Sequence, residues 1–149
     1  MRRRLASLFA GCLVLAAAVW ADLALRARSA LREGERYMEW HAHPELQRAW
    51  WDAWLKAEEK RLDGEAAGGR LTAQEARARR DVARAERDER AAESPLKLAV
   101  RWFETGADLF AVPPNPWTSK SRARLEEARG LWRRELAASG VRPEEHSFH

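Results

Sequence analysis

The chain has no isoleucine, and only six valines and three threonines among its 149 residues. Pleated sheets take up β-branched and aromatic side chains. Their scarcity, beside an abundance of Ala, Leu, Arg and Glu, which favour helices, excludes a sheet-based fold and predicts an all-α protein. Cys12 is the only cysteine, so neither an internal disulfide nor an all-cysteine metal site can form. There is no H-E-x-x-H, no glycine-rich phosphate loop and no nucleophile motif, so the sequence predicts no enzyme. A large excess of one charge is missing too. Setting aside residues 1–25 leaves 24 basic against 22 acidic side chains, which is not the footprint of a nucleic-acid binder.

Long hydrophobic runs are missing everywhere but at the N-terminus. Leu5 to Ala21, "LASLFAGCLVLAAAVWA", contains no charge, and after Asp22 the apolar character continues through Leu25. At about 1.5 Å per residue this length matches a bilayer core of about 30 Å. The basic start Met1-Arg2-Arg3-Arg4 precedes it. Residues 1–25 therefore read as a signal anchor or transmembrane helix, with Trp20 as an interfacial anchor. A cleaved secretory signal ending near Ala21 is the competing reading. Against a lipidated cysteine at Phe9-Ala10-Gly11-Cys12, the apolar run continues well past Cys12. Arg26, Arg28, Arg32 and Arg36 follow the run as closely as three arginines precede it. With the positive-inside count nearly tied, we expect a single-pass protein whose C-terminal domain lies outside the cytoplasm.

Behind the anchor we expect a small helical bundle of about four helices. Over residues 26–67, the first helix continues out of the anchor with a stripe of Ala27, Leu31, Gly34, Met38 and His41 until Pro44 ends it. A tryptophan-rich second helix then runs from Pro44 to about Ala66. On it Leu46, Trp50, Trp54 and Ala57 share one face, and Trp51, Leu55, Glu58 and Leu62 share the adjacent one.

Residues 68–93 begin at the Gly68-Gly69 break. Thr72 and Glu75 have the spacing of a capping box, and the helix they start is interleaved with charge. Glu75 with Arg79, Arg77 with Asp81, Arg84 with Asp88 and Glu86 with Arg90 are opposite charges four apart. Val82 is its only sizeable apolar residue, which predicts a solvated helix projecting into water or lying on a rim. The G-x-L-T-x-x-E turn from Gly69 to Glu75 resembles the turn of the short SHOCT domain, with Ala76 where that family has an aromatic. The resemblance extends over about twenty residues and implies no activity.

Residues 94–140 read as a helical hairpin. Ser94-Pro95 starts its first helix, which buries Leu96, Ala99, Phe103, Ala107 and Phe110 opposite the polar face of Lys97, Arg101, Glu104 and Asp108. "VPPNPW", Val112 to Trp117, is a rigid connector. The last helix, about Ser119 to Ala138, offers Leu125, Ala128, Trp132 and Leu136 and stops at Gly140. Residues 141–149 read as a loose tail. Because Leu, Val and Phe make up only 18 of residues 26–149, the hairpin needs a third wall, for which the tryptophan-rich helix is the candidate.

"WHAHPELQRAWWDAW", Trp40 to Trp54, holds four of the eight tryptophans. Rings of this size bury on the order of 200 Å² each and also recur at binding hot spots. Trp40, Trp50, Trp51 and Trp54 are thus the candidate partner-binding residues, for a protein partner or for stacking on a glycan. Glu39 and Glu104, each beside an aromatic residue, are the only carboxylates with an acid–base character to consider. His41, His43, His146 and His149 could supply imidazole ligands, but two lie in the tail and two point apart at a helix end, so no metal and no cofactor is expected. The function that follows is a membrane-anchored protein-interaction, adaptor or assembly subunit. An exported cell-wall or glycan-binding module is the alternative.

Overall fold

The computed structural model describes residues 2–112 and 114–140, with side chains from residue 11 on. It is all-helical. Among the described residues there are five α-helices and no strand: α1 (Arg2–Ala42), α2 (Pro44–Ala67), α3 (Ala73–Ala92), α4 (Pro95–Glu104) and α5 (Pro116–Ala138), with a π-helical turn, Thr105–Leu109, closing α4. The expected tail, with His146 and His149, lies outside the described residues. The chain divides into two compact units, one made of α1 as far as Met38 with α4, the π-turn and α5, the other of Glu39–Pro95.

In the first unit α1 runs without a break for 41 residues. Residues 11–22 are exposed all round, and burial begins at Leu23. Beyond it Ala27, Ala30, Leu31, Gly34 and Met38 turn inward at helical spacing. Leu31 and Met38 share a core with Leu96, Ala99, Val100, Phe103 and Ala107 from α4 and its π-turn, and with Leu125 and Ala128 from α5. Within this unit the third wall of the α4–α5 hairpin is therefore α1, where the sequence pointed to the tryptophan-rich helix. Small residues explain the choice, because a Cβ on Gly34 would collide with the Phe103 ring, 2.7 Å from its Cζ. Only a glycine there lets the fully buried phenylalanine lie across the helix backbone.

The π-turn carries the same principle one turn further along. The Thr105 hydroxyl donates to the Arg101 carbonyl at 2.9 Å, a local alternative to regular helical bonding. The extra residue per turn puts Gly106 and Ala107 inward together. A Cβ on Gly106 would stand 3.2 Å from Ser121 Cβ and 3.4 Å from Ala30 Cβ, so α1, the π-turn and α5 close around a point without a side chain. At the unit's surface, Arg124 grips Glu35 through Nε at 2.7 Å and Nη2 at 2.6 Å. Arg129 reaches Glu104 at 2.8 Å.

The second unit is an antiparallel hairpin of α2 and α3. His43 breaks the chain with φ −132° and ψ 76°, and Pro44 opens α2, where its missing N–H costs nothing. Gly69, at φ +70°, makes the turn that an L side chain resists. Thr72 then caps α3 as its spacing predicts: its hydroxyl accepts from Glu75 N at 3.2 Å, and the Glu75 carboxylate accepts from Thr72 N at 2.8 Å. The charged helix does not project into water. It lies along α2, burying Ala76 and Ala83, while Val82 is 68% exposed. Its arginines reach across the hairpin: Arg80 to Asp63 at 2.7 Å, Arg84 to Glu59 at 2.9 Å and Arg87 Nε to Asp52 at 2.8 Å. The side chains of Arg80 and Arg87 are themselves half-buried.

Among the described residues no helix is long and apolar enough to cross a membrane. The run from Leu5 to Ala21 lies partly outside them, since the side chains of residues 5–10 are not described.

Candidate functional site

The four candidate tryptophans form two pairs in the second unit, and their fates differ. Trp40, in the last turns of α1, is only 4% exposed. Its ring lies 6.0 Å from that of Trp50 at an interplanar angle of 48°. Trp50 is 51% exposed and Leu46, one turn before it, 40%. Of the face shared by Leu46, Trp50, Trp54 and Ala57, Leu46 and Trp50 are thus turned to solvent, while Trp54 is half-buried. Trp51 and Trp54, half-buried, meet edge to face at 5.8 Å and 77°. The Nε1 of Trp51 is buried with no acceptor among the described residues.

The inward face of α2 starts from Gln47, a residue without an apolar signal. Its amide donates to the Arg90 carbonyl at 3.2 Å and the Glu93 carbonyl at 3.0 Å. These carbonyls lie at the C-terminal end of α3, where helical partners run out. Gln47 thus ties the start of α2 to the end of α3, and Leu62 seals the other end of the seam. The signal in the sequence was the periodicity of positions 47, 51, 54, 58 and 62, which only makes sense once Gln47 is counted as buried.

Between α2 and α3 lies an open groove of about 290 Å³. Trp54, Val82 and Ala83 supply its apolar lining, and Glu58, Arg79 and Glu86 its charged edges. The Glu58 carboxyl is held below the ordinary carboxylate range, chiefly by its hydrogen bond from Arg61.

The remaining candidates are dispersed. Glu39 is exposed, and Glu104 is engaged by Arg129 rather than directed at a cavity. His41 is exposed, and His43 Nδ1 stands 3.3 Å from Glu45. Among the described residues no group of three or more His, Cys, Asp or Glu side chains is arranged to hold a metal ion. No family model, curated protein or solved structure matches the chain.

Proposed function

We propose that the protein is a single-span membrane-anchored helical subunit whose second unit binds another protein, without catalysis of its own. The anchor rests on the uncharged run from Leu5 to Ala21, and gains support from residues 11–22 being exposed on every side of α1. An apolar helix without protein around it is what lipid surrounds. The C-terminal units then lie on one side of the membrane, outside the cytoplasm by the sequence expectation above.

The observation that carries the binding role is Trp50. A half-exposed indole, backed by the buried Trp40 ring and continued by Leu46, is a rigid aromatic platform with an apolar neighbour. It costs little conformational entropy to use and matches the residue type that dominates binding hot spots. Placing a photo-crosslinking amino acid at Trp50, and in a second chain at the exposed Lys60, tests it in native membranes. A discrete adduct from position 50 and none from 60 is the expected result. Equal labelling or none at either position overturns the protein-binding reading.

The groove beside Trp54 favours one second reading, the glycan module. An indole flanked by Glu58, Glu86 and Arg79 offers a stacking face with hydrogen-bonding groups at its rim. Saturable binding of a soluble cell-wall fragment, abolished by Trp54→Ala and unaffected by Trp50→Ala, would select it.

A further inference from the structure

The first unit carries, at one end, a set of exposed apolar and basic residues that its core does not explain. Its place along α1 follows from three contacts. Phe103 on α4 lies against Gly34, Gly106 of the π-turn against Ala30, and the Trp117 ring under the Arg28 guanidinium at 5.3 Å. As the chain advances from 103 to 117 it climbs α1 toward the N-terminus. The end of the π-turn and the start of α5 therefore stand at the level of Arg28 on α1, close to where burial begins and the uncharged run has ended.

Near that level two apolar side chains face outward. Leu109 is 73% exposed and Val112 78%. Beside them stands a hydrogen-bonded frame. Asn115 is buried, donates to the Phe110 carbonyl at 3.0 Å and accepts from Trp117 N at 3.1 Å and Thr118 N at 3.0 Å. The Thr118 hydroxyl donates to the same Phe110 carbonyl at 3.1 Å. Around this frame sit cations: Arg28 and Lys120 both over Trp117, the latter at 5.1 Å, and Arg122, which donates to the Ala107 carbonyl at 3.3 Å. Arg26 pairs with Asp22 one turn nearer the apolar run.

We propose that Leu109, at the end of the π-turn, and Val112 form a second membrane contact, seated in the headgroup region of an anionic bilayer with Arg28, Lys120 and Arg122 on the lipid phosphates. The proposal rests on the anchor reading above. Its chemistry is that of an interfacial contact: apolar side chains at the boundary, a tryptophan at headgroup level and basic residues behind it. Basic side chains near an anionic surface add attraction that falls off within a Debye length. The occupant is lipid because the patch is continuous with the end of the apolar run and complementary in charge to an anionic headgroup layer.

The test uses the full chain reconstituted in vesicles of phosphatidylcholine with or without phosphatidylglycerol. Cysteine variants carry one environment-sensitive fluorophore each: the native Cys12, and Val112→Cys or Arg134→Cys in a Cys12→Ser background. Spin-labelled lipids then report depth. The expected pattern is deep quenching at 12, shallow quenching at 112 that grows several-fold with phosphatidylglycerol, and none at 134, a solvent-exposed position on α5. Deep quenching at 12 with an aqueous probe at 112 overturns the second contact and leaves the anchor standing. Aqueous probes at both 12 and 112 overturn both. Quenching at 112 that is equal in the two vesicle types overturns the role of the cations. Lys120→Glu with Arg122→Glu should remove the dependence on phosphatidylglycerol while leaving Cys12 deep.

Discussion

Gly34 and Phe103 compete for the same space: the ring on α4 lies where a side chain on α1 would be. Alanine in place of glycine in a helix is ordinarily worth up to about 1 kcal/mol. Here Gly34→Ala should destabilise by about 1–2 kcal/mol, because forcing an extra carbon into a filled core costs about 1–3 kcal/mol and outweighs that gain. Thermal melts of the wild type, Gly34→Ala, Phe103→Leu and the double variant would check it. The double variant should be more stable than the sum of the single losses implies, since the shorter side chain gives room to the new methyl.

Trp40 and Trp50 touch, yet their substitutions should have different consequences. Trp40→Ala should cost about 3 kcal/mol or more, the usual loss for emptying a buried aromatic site. Trp50→Ala should cost about 1 kcal/mol or less, since half the ring is already in water. Urea unfolding of both variants measures the difference. The cross-link from position 50 separates binding from folding.

Asn115 should behave as a cap and a tie at once. Asn115→Ala removes the acceptor for two amides at the start of α5 and the donor to the Phe110 carbonyl. The expected loss is about 1–2 kcal/mol, read as a lowered Tm. Asn115→Asp keeps the acceptor and loses the donor, and should fall between the two. Hydrogen exchange at Trp117 and Thr118 would localise the effect.

The α2–α3 hairpin should weaken in acid. The Glu75 carboxyl is held below its ordinary value, chiefly by the Thr72 backbone N–H, and that of Glu58 chiefly by the hydrogen bond from Arg61. A carboxylate with a lower pKa folded than unfolded stabilises fully above the unfolded value of about 4.3. That contribution is lost as the pH falls from there through the folded pKa. Protection of the amides of residues 73–76 should therefore decline below about pH 4.3. Glu75→Gln, which keeps the geometry of the box and cannot titrate, should show a smaller decline. Added salt at neutral pH should loosen the same hairpin, because Arg80, Arg84 and Arg87 pair at its surface.

Local signals in the sequence were legible and long-range choices were not. Pro44, the Gly68-Gly69 turn, the Thr72 and Glu75 box and Pro95 each act on their immediate neighbours, and each marks the start or end of an element where expected. The stripe of Ala27, Leu31, Gly34 and Met38 gave the inward face of α1, although His41, at the same spacing, is exposed. Periodicity assigns a face but not the neighbour that covers it. Gly34 and Ala30 made α1 the third wall through closeness of approach, a property that hydrophobicity does not register. The same blindness hid α3, where Ala76 and Ala83 admit a neighbouring helix and arginines find partners 17, 25 and 35 residues away. Of the candidate site, the tryptophans were visible as residues. Which ring faces water depended on Gln47 taking an inward position for two carbonyl groups at the end of α3.

The uninterrupted course of α1 gives the first unit a lever. Its 41 residues include no proline, and both of its glycines lie within unbroken helix. A bundle clamped on residues 27–38 through Gly34 has no hinge between itself and residues 11–22. Any torque or change of tilt applied to that exposed stretch is delivered to α4 and α5 as a rotation of the whole first unit, with no joint to absorb it.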